Sequence, residues 1–412
     1  TSNPQIRFGE DLMSRVSYVM MNPDGREAMT SAVREAVNML IGKVCAEGGV
    51  DRHDILDLVF VANPIMHHLF LGIDPTELGQ APFALAVSGA MQYWAHELDI
   101  DVNRGARTYL LPCIAGHVGA DAAGATLAEG PYRQDGMMLL VDVGTNAEIV
   151  LGNRARVVAA SSPTGPAFEG AEISSGQRAA PGAIERVRID PATLEPRFRV
   201  IGVDMWSDEE GFEEAAGTVG VTGICGSAII EVVAEMYLSG IISEDGVVDG
   251  SLMEKSPRII QNGRTFSYLL RDGEPRITVT QNDVRAIQLA KAALYAGIKL
   301  LMEKQGVEKV DTIRFAGAFG SFIDPKYAMV LGLIPDCDLA EVKAVGNAAG
   351  TGALMALLNR GHRREIEEMV KKIEKIETAL ESNFQQLFVN AMAMPNKVDA
   401  FPELAKVVTL PE

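Results

Sequence analysis

Cysteine is scarce in this chain: four in 412 residues, at Cys45, Cys113, Cys225 and Cys337, with no Cys-x-x-Cys pair. Isolated thiols so far apart exclude a disulfide framework and a cysteine-held metal cluster, and they read as buried side chains. Long apolar runs are lacking too. No stretch of about 18 apolar residues occurs, so nothing reads as a transmembrane helix. The opening Thr-Ser-Asn-Pro-Gln has neither the charged nor the apolar region of a secretory signal. The expected location is the cytoplasm, with no membrane as a partner. Basic residues are outnumbered, 37 Lys and Arg against 55 Asp and Glu, for a net charge of -18. A phosphate backbone wants a basic face, so nucleic acid is excluded as a partner. What the chain does have is length, with 47% hydrophobic and 22% charged residues, enough for two or more packed units.

The most informative stretch runs from Met137 to Gly152, where two apolar runs flank Asp142-Val143-Gly144-Thr145-Asn146. It reads as a β-hairpin. A Gly-Thr-Asn turn can face backbone N–H groups and a hydroxyl toward an anion, and Asp142 at the strand end can hold Mg²⁺ through water. The same residues also make any ordinary tight turn, so the motif alone leaves both readings open.

Internal repeats add to it. Asp57-Leu-Val-Phe-Val-Ala-Asn-Pro-Ile-Met-His-His is echoed by Asp311-Thr-Ile-Arg-Phe-Ala-Gly-Ala-Phe-Gly-Ser-Phe, each reading as strand, small-residue turn, helix. An amphipathic helical stretch precedes each, Arg26 to Glu47 and Asn282 to Gln305. Gly116 to Ala125 resembles Gly346 to Ala353, each a helix whose small residues permit close backbone approach. Ser2-Asn3-Pro4 leading into Phe8-Gly9-Glu10-Asp11 resembles Ser161-Ser162-Pro163 leading into Phe168-Glu169-Gly170-Ala171. Four pairs in one order imply a duplicated α/β unit.

The spacing divides the chain. The first half covers 1–130 and the second 131–358, the second holding about 95 further residues, expected as an insert over 186–280 with a helix at Gly226 to Leu238. About 24 further residues around Gly72 to Asp101 elaborate the first half. Residues 359–412 are expected to form a C-terminal helix, with apolar positions from Ile366 to Leu380, and an extended tail from Pro395. That helix is expected to pack on the sheet or make a homodimer contact. The first half lacks a counterpart of the Asp142 hairpin, which predicts a piece of a longer protein.

This pattern resembles the superfamily of acetate and sugar kinases, heat-shock chaperone ATPases and actin, in which two ribonuclease-H-like halves clamp ATP. More specifically, Asn3 to Arg15, Met66 to Gly72, Pro112 to Asp121, Asp142 to Asn146, Ser162 to Gly170 and Ala316 to Asp324 resemble the C-terminal ATPase domain of the reductive activators of corrinoid proteins. The resemblance covers nearly the whole chain. It implies an actin-like duplicated fold with an ATP-hydrolysing module that drives one-electron reduction of a cob(II)alamin corrinoid protein to cob(I)alamin. The electron would come from a [2Fe-2S] domain upstream of Thr1, itself served by an electron donor. A small-molecule kinase of the same superfamily and a nucleotide-gated interaction module stand as alternatives.

The resemblance also implies roles. ATP and Mg²⁺ are the expected cofactors. Asp142 would hold Mg²⁺, and Gly144, Thr145 and Asn146 would donate to the β- and γ-phosphates. Gly317, Ala318, Phe319 and Gly320 would line the adenosine pocket, and Gly346, expected to open the second connecting helix, is a further nucleotide-binding candidate. Glu169 could orient water or bind metal, and Asp121, one turn from His117 on the first connecting helix, is a second candidate for metal or water. Adjacent His67 and His68 point to different faces, which suits packing or capping rather than metal binding.

Overall fold

The computed structural model describes residues 1, 3–9 and 11–411. Ser2 and Glu10, which belong to one of the repeat pairs, lie outside the described residues. In chain order the elements are α1 (Leu12–Met21), α2 (Gly25–Gly48), β1 (Asp57–Phe60), α3 (Pro64–Leu71), β2 (Met91–Trp94), β3 (Arg107–Leu110) and α4 (Ala120–Glu129). There follow β4 (Met138–Val143), β5 (Ala147–Gly152), β6 (Val157–Ser162), β7 (Ala183–Ile189), β8 (Pro196–Val200), β9 (Val203–Trp206), α5 (Phe212–Ala216), β10 (Gly223–Ile224) and α6 (Gly226–Leu238). Then come β11 (Ile259–Asn262), β12 (Thr265–Arg271), β13 (Ile277–Thr280), α7 (Gln281–Gln305), β14 (Thr312–Ala316), α8 (Gly317–Gly320) and α9 (Pro325–Leu331). The last are β15 (Val342–Gly346), α10 (Ala348–Leu358), α11 (Arg360–Val370), β16 (Glu374–Lys375) and α12 (Phe384–Asn390).

The chain forms two compact units. Unit 1 holds residues 1–135, 152–160 and 347–376, and unit 2 holds 136–151, 161–346 and 377–412. The division is not sequential. Residues 347–376 return to unit 1, whereas the last 36 residues belong to unit 2.

In unit 1, β1, β3 and β2 form a three-stranded sheet, with β1 parallel to β3 and β2 antiparallel to it. The helix α2 is closed by Gly49 in the left-handed region, at a φ of 64° that glycine adopts without strain. Asn63 caps α3 by accepting from the Met66 N–H, and Pro64 opens it at a position where no N–H is needed. The small-residue helices α4 and α10 pack on each other, and a Cβ on Gly352 would lie 2.0 Å from the Gly124 carbonyl oxygen. Only glycine permits that approach. The helix α11 packs within the same unit: Ile366 is buried beside Tyr109, Leu111 and Ala356, and Arg363 reaches Asp57 at 2.7 Å.

His67 and His68 are both buried in unit 1. The Ala86 N–H donates to His68 Nε2 at 3.2 Å, so Nδ1 carries the proton given to the Pro64 carbonyl at 2.8 Å. Among the described residues neither ring nitrogen of His67 has a hydrogen-bond partner. Burial, with His68 adding to it, holds the His67 imidazole down to about 4 from its ordinary 6.5. The sign of the consequence follows from linkage. Below pH 6.5 the unfolded chain takes up a proton that the folded chain refuses until about pH 4, so stability is full above 6.5 and falls as pH drops. Chemical denaturation at pH 5 should show wild type losing about 2 kcal/mol more, relative to pH 7.5, than His67→Leu loses. Equal losses would refute the assignment.

In unit 2, β15, β14, β4 and β5 stand side by side, with β14 parallel to both β4 and β15. The helix α7 runs 25 residues and starts at a reciprocal cap, Thr280 accepting from the Asp283 N–H while the Asp283 carboxylate accepts from the Thr280 N–H. Residues 183–280, which include the stretch expected as an insert, hold two sheets, in the orders β10-β7-β8-β9 and β11-β12-β13. Beyond the two residues that β10 covers, the edge of β7 is met by carboxylates of α6. Glu231 accepts from the Val187 N–H and Glu235 from the Ile189 N–H.

Two sequence expectations need correction. The strand–turn–helix repeat is unequal: α3 runs eight residues, whereas α8 stops after four because the chain turns again at Ser321 to Asp324. The charged C-terminal stretch is not one helix. β16 pairs with β6 in unit 1 and interrupts it, with α12 following in unit 2. Nor does the end of the chain trail free. Ala393, Met394, Phe401 and Leu404 are buried, and Asp336 accepts from the N–H groups of Glu403 and Leu404. Lys291 of α7, fully buried, donates from Nζ to the carbonyls of Ala393 and Pro395. Among the described residues no helix is long and apolar enough to cross a membrane.

Candidate functional site

Three parallel strands of unit 2 bring the site together at one end. Asp142, at the end of β4, lies opposite Ala316 of β14, and Ala316 lies opposite Gly346 of β15. The carboxyl ends of neighbouring parallel strands are where open α/β sheets place ligands, because the loops that leave them can diverge. Here the loops are the Gly144–Asn146 turn and the short helix α8.

Asp142 and Gly317 are in contact. Gly317 has a φ of 84°, and a Cβ there would fall 2.3 Å from Asp142 Oδ1. Glycine is therefore required twice, for the left-handed backbone and for the carboxylate that occupies the side-chain position. Burial raises the pKa of Asp142 above the ordinary carboxylate value. A half-buried carboxylate that holds its proton too tightly is also a group that a divalent cation would neutralise, and its oxygen chemistry suits Mg²⁺.

The turn after Asp142 is held on several sides. The Gly144 N–H donates to the Asn146 carbonyl at 3.1 Å, the Thr145 hydroxyl donates to Glu169 Oε1 at 2.8 Å, and the Gly165 N–H donates to the Thr145 carbonyl at 2.9 Å. Thr164 donates its hydroxyl to the Gly144 carbonyl at 2.8 Å and lies 3.1 Å from that of Thr145. With its proton given to Glu169, the Thr145 hydroxyl keeps lone pairs rather than a donor for a ligand. Glu169 is brought to the turn by the one-turn helix Pro166–Glu169, which follows β6 directly.

Around α8, Ala318 is exposed and Gly320 buried, and the Phe319 ring stacks at 6.4 Å on Phe168. The start of α6 fits beneath them. A Cβ on Gly226 would lie 2.0 Å from the Phe168 carbonyl oxygen and 2.5 Å from Phe319 Cε2. Of the sequence-derived candidates, Asp142, Gly144, Thr145, Asn146, Glu169, Gly317, Ala318, Phe319, Gly320 and Gly346 all belong to unit 2. Asp121 belongs to unit 1, on the first turn of α4, where Oδ1 accepts from the Ala122 N–H at 2.8 Å. His117 lies in the turn before α4 rather than on that helix, because α4 begins only at Ala120, and it packs its ring edge-to-face on Phe83. Sequence reasoning missed Thr164, Phe168 and Gly226. The Pro-Thr-Gly-Pro run and the glycine opening α6 were the available signals.

Comparison with known proteins agrees with this architecture. Residues 136–405 match the C-terminal domain of RACo, the ASKHA domain, and residues 1–134 match the RACo middle region. The corrinoid activation enzyme RamQ of Eubacterium limosum is 33% identical over 399 residues, which cover 94% of this chain and 64% of that protein. The [Co(II) methylated amine-specific corrinoid protein] reductase of Methanosarcina barkeri is 30% identical over 279 residues, 64% of this chain and 46% of its own length. A solved structure described as a reductive activator for corrinoid, iron-sulfur protein superposes with a TM-score of 0.81 at 33% identity, over 96% of this chain and 62% of that one. The chain thus spans less than two thirds of the length of these relatives. With both of its regions matched in order, the chain belongs to the RACo family and carries that family's actin-like, duplicated ribonuclease-H-like ASKHA fold.

Proposed function

We propose that this chain is the ATP-hydrolysing module of a reductive activator that drives one-electron reduction of cob(II)alamin in a corrinoid protein to cob(I)alamin. The names of the relatives support the partner class. The observation that carries the nucleotide reading is the alignment of Asp142, Gly317 and Gly346 at one end of three parallel strands, with the Thr145–Glu169 hydrogen bond beside them. In this reading Asp142 is the Mg²⁺ site, and the ion would neutralise charge on the β- and γ-phosphates. The turn Gly144–Asn146 binds the phosphates, and Gly317 to Gly320 flank the adenosine. Glu169 holds the Thr145 hydroxyl, and Asp121 is the further acidic candidate. The electron is carried by an iron–sulfur domain outside these 412 residues and reaches cobalt from there. ATP is split by water to ADP and phosphate, and that free energy favours an otherwise uphill transfer.

The test is turnover. The activator that contains this chain, given a reductant and a cob(II)alamin-loaded corrinoid protein, should form cob(I)alamin, seen by its absorbance, only when Mg·ATP is present. ATP hydrolysis should rise with the oxidised partner. Cob(I)alamin formation at the same rate without ATP would sink the proposal.

A further inference from the structure

Thr164 is 5% exposed and sits between β6 and the Pro166–Glu169 turn, in the run Pro163-Thr164-Gly165-Pro166. Its two prolines have fixed φ and give the segment little freedom. Ser162, one step before, is pinned to the Ala293 carbonyl of α7 at 2.6 Å. The hydroxyl of Thr164 is thus presented from a rigid base. It carries one proton, shared between the Gly144 carbonyl at 2.8 Å and the Thr145 carbonyl at 3.1 Å, the shorter bond dominating. The Gly165 N–H adds a second donor on Thr145, and the Gly144 N–H engages the Asn146 carbonyl. All three carbonyls of the turn are therefore occupied by protein donors.

That matters for an anion. A turn binds phosphate through N–H groups, and a carbonyl oxygen swung to the same side repels it. We infer that Thr164 is the positioning residue of the phosphate turn: by holding the Gly144 and Thr145 carbonyls on the protein side, it keeps the amides of Thr145 and Asn146 turned toward the nucleotide. The inference rests on the nucleotide-binding reading above. Glu169 acts on the same turn from another direction, through the Thr145 side chain, so the backbone and the hydroxyl are set by separate contacts.

Thr164→Val keeps the shape and removes the proton, and Thr164→Ser keeps the proton. In the full chain, Thr164→Val should weaken Mg·ADP binding, read by calorimetry, about tenfold, the size expected for one lost buried hydrogen bond. It should also speed amide exchange at Thr145 and Asn146 in the nucleotide-free protein. Thr164→Ser should restore both, which general loss of packing would not allow. Wild-type affinity in Thr164→Val, within twofold, overturns the inference. If wild type binds no nucleotide, the functional reading falls instead. Exchange then decides alone, and equal rates in wild type and Thr164→Val overturn the clamp.

Discussion

Asp142→Asn is expected to lower ATP turnover on the order of a hundred- to a thousand-fold while leaving the fold at least as stable as before. The loss follows from chemistry. An amide keeps the shape but not the charge that would hold the cation, and removing one preorganised electrostatic partner of a transferring phosphoryl group costs that much in other sites. The stability expectation follows from the raised pKa of Asp142, which burial causes. Its sign is opposite to that of a salt-bridged carboxylate. The folded chain holds the proton to higher pH than the unfolded chain, so stability falls as pH rises from the unfolded value of 3.8 through the folded one, and stays lower at neutral pH. Asparagine removes that penalty. Turnover and melting temperature measured on the same preparation check both halves, and a variant that loses activity only because it has lost several degrees of melting temperature contradicts the account.

The other large effect is expected far from the chemistry. Gly352→Ala should destabilise unit 1 by about 3 kcal/mol, although alanine is the better helix former by about 1 kcal/mol. Geometry decides between the two effects. The added Cβ would stand 2.0 Å from the Gly124 oxygen, 2.5 Å from its carbonyl carbon and 2.7 Å from its Cα, all backbone atoms of α4. No rotamer change relieves that contact, so the two helices must separate by more than an ångström and their packed neighbours with them. Thermal unfolding should show a fall of roughly 6–12 °C at about 2–4 °C per kcal/mol for a unit of this size. An unchanged or raised midpoint would show that α4 and α10 can separate at no cost.

Much of this was written locally in the chain. The duplicated order of helix, strand and turn put α2 at Gly25–Gly48 and α7 at Gln281–Gln305, close to the stretches that apolar spacing marks out. The hairpin around Gly144 and the helix Gly226–Leu238 were legible for the same reason: turn chemistry and periodicity act over a few residues. The contacts that define the site are not local. Nothing near Gly317 announces that the carboxylate of Asp142, 175 positions earlier, fills its side-chain position. The Thr164 hydroxyl likewise acts on carbonyls about twenty positions away, and a carbonyl has no sequence signature. The break in the C-terminal helix had the same origin. Residues 374–375 have helical spacing around them, but β6 offers them a ladder, and pairing outweighs propensity.

Lys291 reads the end of the chain without reading its side chains. Its hydrogen bonds to residues 393 and 395 go to their carbonyl oxygens, and Gln288 donates likewise to the Met392 carbonyl at 2.9 Å. Every amino acid supplies a carbonyl. Side-chain identity along 392–395 is therefore loosely constrained by these contacts, whereas the lysine is hard to replace: an apolar substitute strands two buried acceptors, and cutting the chain before residue 393 strands its buried side-chain nitrogen. Variation among natural relatives should accordingly be uneven, with a fixed lysine on the long helix facing a more permissive turn. Truncations that remove residues 393–395 should therefore destabilise unit 2.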